Sequence, residues 1–155
     1  MCGIRPAPLS VRRAQQIQHP VRMAGAPGEP IVSLSRPFNW GGILVMDSAT
    51  CDIPGSFGPQ GLVRSPTCLG FVVRHAQDVE ASAMGPFDVK VDVRWGPPTG
   101  DVSIAHHIGV PSGAVTIGDA EAEEVIPVVG SCIVSVALDD DSHAEHVTIW
   151  LTPEG

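Results

Sequence analysis

The sequence lacks most of the features by which a chain announces a chemistry. Its four cysteines, Cys2, Cys51, Cys68 and Cys132, show neither C-x-x-C spacing nor the density of a small secreted disulfide scaffold. They read as reduced thiols, and cytoplasmic residence is the expectation. No continuous apolar run approaches the about 18 residues of a membrane-spanning helix. The arginine pair Arg12-Arg13 is followed by "AQQIQHPVRM", too polar for the apolar centre of a signal peptide. There is no G-x-S-x-G elbow and no glycine-rich phosphate loop, and "PSG" at 111–113 is a turn signal. No stretch of ten or more residues in the body carries a helical 3.6 period. These absences leave an enzyme reading without a motif and an α-helical fold without a helix.

Positive charge is also scarce, and its placement is uneven. Residues 1–28 hold Arg5, Arg12, Arg13 and Arg22 and no acid, a local charge of +4. Residues 29–155 hold the remaining five basic and all seventeen acidic residues, a net charge of −12. So acidic a body disfavours nucleic acid and anionic membrane as direct partners and suits a basic protein. Residues 1–28 have no sustained periodicity and end in a Gly/Pro linker. They read as a flexible basic arm before a single domain over 29–155, and Met23 offers a second plausible start within the arm.

What the chain does have is turn chemistry and period-two alternation. Glycine and proline make up 17 and 15 of the 155 residues and are spread along the chain, as many short strands and tight turns require. In "FDVKVDVRW", Phe87, Val89, Val91, Val93 and Trp95 fall on one face and Asp88, Lys90, Asp92 and Arg94 on the other, the pattern of a strand with one buried face. The same alternation runs through "CLGFVVRH", "SCIVSVAL" and "EHVTIWL". With "IVSL", "GILVMD", "DVSIAHHIGV" and "AVTIG" it predicts about eight strands. The turns "GPPTG", "PSG" and "DDDS" between them predict hairpins of consecutive strands. The expected fold is all-β, an antiparallel two-layer β-sandwich, with a partly open barrel as the second choice. Residues 48–66, rich in Gly, Pro and Ser, read as an irregular loop crossing from one sheet to the other and as a recognition surface.

The residues that could carry chemistry fall into three groups. The first is acidic: Asp139, Asp140 and Asp141, with Ser142 and His143, occupy the predicted tip between the last two strands, and "GDAEAEE" at 118–124 adds Glu121, Glu123 and Glu124. The tip lacks the alternating ligands, glycine and distal glutamate of a calcium loop, so its aspartates read as turn formers whose charge is available to a partner. The second group is histidine. His106 is in phase with Ile104 and Ile108 and reads as a sheet-face residue, while His107 points outward. His143 and His146, three apart, would share a face on a helix but lie on opposite faces of a strand. A zinc site would need His106 or His107 to meet His75, His143 or His146 through the fold, with His107, His143 and His146 the candidates, and no cofactor is expected. The third group is exposed or reactive: Trp40, before a Gly-Gly bend, as an interface anchor, and Cys51, beside Asp52 with no base nearby to activate it. Trp95 reads as a core anchor.

The C-terminal half resembles a known family. "VPSGAVTI", "VIPVVGSCIVSV" and "HVTIWLTPEG" are similar to the turn and strand pattern of the small bacterial competence protein J family of nuclease inhibitors, over residues 86–155. The chain departs from that pattern in having Val129-Gly130 in place of Pro-Gly, Ile133 at an expected tyrosine, and no tyrosine at all. The resemblance implies a β-sandwich and an inhibitor or immunity-type role against a basic nuclease or toxin, by charge mimicry and steric blockage. The acidic body fits such a partner independently. A non-enzymatic interaction module is thus the leading expectation. A metal- or ligand-binding sandwich that uses the histidines comes second, and a structural β-domain of an assembly third.

Overall fold

The computed structural model describes residues 28–53, 55–76 and 88–155, so the expected arm lies, Gly28 apart, outside the described residues. These residues form two five-stranded sheets. The first contains, in spatial order, β1 (Val32–Arg36), β5 (Val89–Trp95), β10 (His146–Glu154), β9 (Gly130–Leu138) and β6 (Ile104–Val110). The second contains β3 (Leu62–Ser65), β4 (Cys68–Val72), β2 (Gly42–Asp47), β7 (Ala114–Gly118) and β8 (Glu123–Pro127). Pairing is antiparallel throughout except between β5 and β10, which run parallel from His146↔Lys90 to Leu151↔Trp95.

Alternation places the core between the two sheets. Val89, Val91 and Val93 of β5, Cys132, Val134 and Val136 of β9, and Val147, Ile149 and Leu151 of β10 are all buried. They meet Ile43 and Val45 of β2, Leu69 and Phe71 of β4, and Val115 and Ile117 of β7 in one hydrophobic cluster. Removing such a side chain, as in Ile149→Ala, costs about 2–5 kcal/mol through lost apolar burial and the cavity left behind. At one margin the sheets approach through polar contacts. The β6 residue Gly109 donates its N–H to Pro66 O at 2.8 Å, and His106 Nε2 lies 2.8 Å from Ser65 O.

The sandwich agrees with the alternation, and several connections differ from the expected hairpins. The "DDDS" turn does join a hairpin, β9 to β10. The "PSG" turn instead carries the chain from β6 in the first sheet to β7 in the second, and "GPPTG" follows β5, which is no neighbour of β6. Turn residues specify a reversal of direction, not which sheet receives the next strand. Residues 48–66 do not cross between sheets. They leave β2 and return to the same sheet, contributing β3 on the way. Two strands, β3 and β8, were not expected, and both are edge strands.

Trp95 continues the buried phase of β5 yet is 42% exposed; the pairing with β1 stops at Val93, so Trp95 has β10 alone beside it. Phe57, from the β2–β3 connection, folds back over the outer face of the second sheet. A Cβ at Gly42 would run into its ring, and one at Gly70 would come within 3.1 Å of it and 2.8 Å of Leu44. Those two glycines are the space that lets the connection seat against the sheet.

Candidate functional site

One end of the sandwich gathers the loops that carry the acidic residues. In the first sheet Arg36 is paired with Val89 and Lys90 with His146, so the end of β1 and the starts of β5 and β10 lie together. In the second, Gly42 is paired with Val72 and Leu44 with Gly118, which brings the start of β2 beside the ends of β4 and β7. The loops are then sewn to one another by backbone hydrogen bonds. Ala76 N–H donates to Phe38 O at 3.1 Å, Val73 N–H to Gly41 O at 2.9 Å, Arg74 N–H to Ala144 O at 3.1 Å and Lys90 N–H to Glu145 O at 2.8 Å. The result is a continuous band from the β7–β8 loop, across residues 37–41 and 73–76, to the β9–β10 tip.

Side chains close this band from both ends. Arg36 lies over the Phe38 ring, 3.9 Å from its centroid, and forks onto Asp119 with contacts of 2.9 and 3.3 Å. Asp119 is buried and also accepts the N–H groups of Glu121 and Ala122 at 3.1 and 3.2 Å. Burial alone would raise its pKa. The Arg36 hydrogen bond and charge, with those two N–H groups, outweigh it and hold the carboxyl below the usual carboxylate range. At the other end Arg74 pairs with Glu145. The sequence offered no signal for the Arg36–Asp119 pair, whose partners stand 83 positions apart.

The predicted acidic residues divide by what their carboxylates already hold. Asp140 Oδ1 accepts from Ser142 N–H at 2.8 Å, His143 N–H at 2.7 Å and the Ser142 hydroxyl at 3.0 Å. The two N–H groups first, then the hydroxyl, hold its carboxyl below the usual range. Asp139 accepts Glu145 N–H at 2.9 Å through one oxygen and faces His146 Nδ1 at 3.3 Å with the other. These two aspartates build the turn. Asp141 is exposed beside them. Glu121 is held by the Asn39 amide at 2.8 and 2.9 Å, a neutral partner that leaves its charge uncompensated. Glu123 and Glu124 open the exposed edge strand β8, next to Gly118 and Ile117.

Trp40, 68% exposed, stands next to Asn39 in the same band. With Leu44, Val63, Phe57, Asp119 and Ala120 it lines a cleft of about 430 Å³. Trp40 and the two acidic loops thus share one end, which the linear sequence does not reveal.

Of the candidate histidines, His107 stands apart from His143 and His146. His107 is exposed at mid-strand on β6, with Nε2 2.6 Å from Glu154 Oε2. His146 opens β10 beside Asp139, and His143 Nδ1 lies 2.8 Å from the Ser142 hydroxyl. His107 lies opposite Ile133, which is itself opposite Thr152, six residues along β10 from His146 and hence roughly 20 Å away. Among the described residues no three His, Cys, Asp or Glu side chains converge in a metal-holding group. Cys68 and Cys132 are buried, and burial first, with Asp52 and Glu154 respectively second, pushes each thiol up to about 11. Neither is suited to act as a nucleophile. Among the described residues no helix is long and apolar enough to cross a membrane.

No family model matches the chain, and no curated protein matches it in sequence. Among solved structures, ComJ from Bacillus subtilis, inhibitor of the DNA degrading activity of NucA, superimposes with a TM-score of 0.56. The chain shares the fold of ComJ. Identity is 9%, and the match covers 79% of this chain and 96% of ComJ, so the likeness extends beyond the C-terminal half in which the sequence pattern was read. A second solved chain, crocagin biosynthetic gene J, matches 80% of this chain and 96% of its own length at 13% identity with a TM-score of 0.43.

Proposed function

We propose that the protein is a non-enzymatic, acidic interaction module whose loop-bearing end covers a basic surface of a protein partner, as an inhibitor of a nuclease or toxin would. The observation that carries this reading is the convergence of Glu121, the 139–141 tip and an exposed tryptophan on one end of a rigid sandwich. Nucleases bind phosphate through positive charge, so a carboxylate-rich end can occupy the same surface, block it sterically and be steered to it electrostatically. The shared fold with ComJ, an inhibitor of the nuclease NucA, supports the class of partner. A reduced, cytoplasmic setting is part of the proposal and suits the buried thiols of Cys68 and Cys132.

The test is affinity capture from native lysate with the full chain immobilised through its C-terminus, since Glu154 ends β10 away from the acidic loops. The expected result is a basic protein that elutes at moderate salt, is not retained by the E121Q/D141N variant, and whose nucleic-acid-degrading activity falls when the wild-type chain is added. Equal retention by the variant would remove the acidic end from the account. Bound zinc stoichiometric with the chain, lost in H143A/H146A at the β9–β10 tip, would favour the histidine reading instead.

A further inference from the structure

The cleft beside Trp40 differs from the rest of the acidic end in being walled by apolar groups. Phe57 is wedged against the glycine track of Gly42 and Gly70, so the cleft wall is packed in place before any partner arrives. Leu44 and Val63 project from β2 and β3 into its floor, and Trp40 stands at its mouth. Asp119 also borders it, but its charge is already matched by Arg36. Beside the cleft, Glu121 follows the lining residue Ala120 and is fixed by Asn39, the residue preceding Trp40, a partner that leaves its charge uncompensated. An apolar channel with an indole and a carboxylate at its entrance is complementary to a side chain with an aliphatic stem and a cationic head.

The geometry points to this cleft as the anchor site for one projecting arginine of the partner, a specificity-determining pocket that rests on the interaction reading above. Arginine is favoured over lysine on chemical grounds. A planar guanidinium can stack on the indole of Trp40 while its N–H fork meets the Glu121 carboxylate, whereas an ammonium is a compact, strongly hydrated point charge. Tryptophan and arginine are the residues most enriched among interface hot spots, while surrounding charges chiefly steer.

The test uses two defined probes of equal charge, an N-acetylated hexa-arginine amide and its hexa-lysine counterpart, titrated into the full chain at low salt with methyl NMR on Leu44 and Val63. The arginine peptide should bind at least about fivefold more tightly than the lysine peptide and shift both methyl signals. Trp40→Ala should weaken arginine-peptide binding about tenfold and abolish the preference. Ala120→Trp, at an exposed loop position, should fill the cleft and do the same without touching the indole. Equal affinity for the two peptides, or an arginine preference unchanged in both variants, would overturn the anchor site while leaving the acidic end as a charged surface. Failure of both peptides to bind the wild-type chain would overturn the anchor and the interaction reading together.

Discussion

The two ends of the sandwich are made from similar loop residues, aspartate and serine among glycine and proline, and they use them in opposite ways. At the end away from the acidic loops, Asp47 is buried. Its Oδ1 accepts Ser112 N–H at 3.0 Å and the Ser112 hydroxyl at 2.5 Å, and its Oδ2 accepts Ala49 N–H at 3.2 Å. The Ser48 and Ser112 hydroxyls lie 2.8 Å apart, and those of Thr50 and Thr67 2.6 Å apart, so these groups are matched to one another. At the acidic end Asp119, Asp139 and Asp140 play the same internal role, but they carry with them Glu121, Glu123, Glu124 and Asp141, whose charges face outward. The lesson is that a carboxylate's availability is set by the N–H groups within its own reach, not by the number of acids in a loop.

That contrast can be broken by mutation. The largest effect is expected for Asp47→Ala, which removes the acceptor of the Ser112 and Ala49 N–H groups. It should lower unfolding free energy in urea by about 3 kcal/mol while leaving binding of the hexa-arginine peptide unchanged. Asp119→Asn comes next, at about 2 kcal/mol, because it uncouples Arg36 and loosens the loop that carries Glu121. This pair also has a pH signature. Since the folded Asp119 pKa lies below its unfolded value, its stabilisation is complete above the unfolded carboxylate pKa of about 4 and is lost as pH falls through the folded value. Acid titration of wild type and variant should therefore converge below about pH 4, and curves that stay parallel would refute the pair's role. Smallest on stability is E123Q/E124Q, expected within about 0.5 kcal/mol of wild type. Its measurable effect should be a shallower salt dependence of peptide binding.

The same contrast explains what could be read from the sequence. Period-two alternation located eight strands because their inward residues are apolar and their outward ones are not, as in Val89 to Val93. It missed β3, with only four residues, and β8, where Glu123, Glu124 and Val125 are all exposed and Ile126 alone faces the core. Edge strands bury too little for alternation to show. The parallel β5–β10 pairing and the route of "PSG" between sheets depend on contacts between distant segments, which turn residues do not encode. At the site, the sequence supplied Trp40 and the acidic residues, including their exposure at the tip. It did not supply their adjacency, which rests on Arg36–Asp119, Asn39–Glu121 and Arg74–Glu145, pairs more than 70 positions apart.

The central claim, that one end of a generally acidic protein is the binding surface, is tested most directly by neutralising equal charge at the two ends. Hexa-arginine peptide affinity would be measured across a salt series for wild type, E121Q/D141N at the acidic end, and D52N/E154Q at the other. The account predicts about a tenfold loss and a flatter salt dependence for E121Q/D141N, with D52N/E154Q within about twofold of wild type. Equal losses in the two variants would mean that the peptide senses only net charge, and would contradict a binding end.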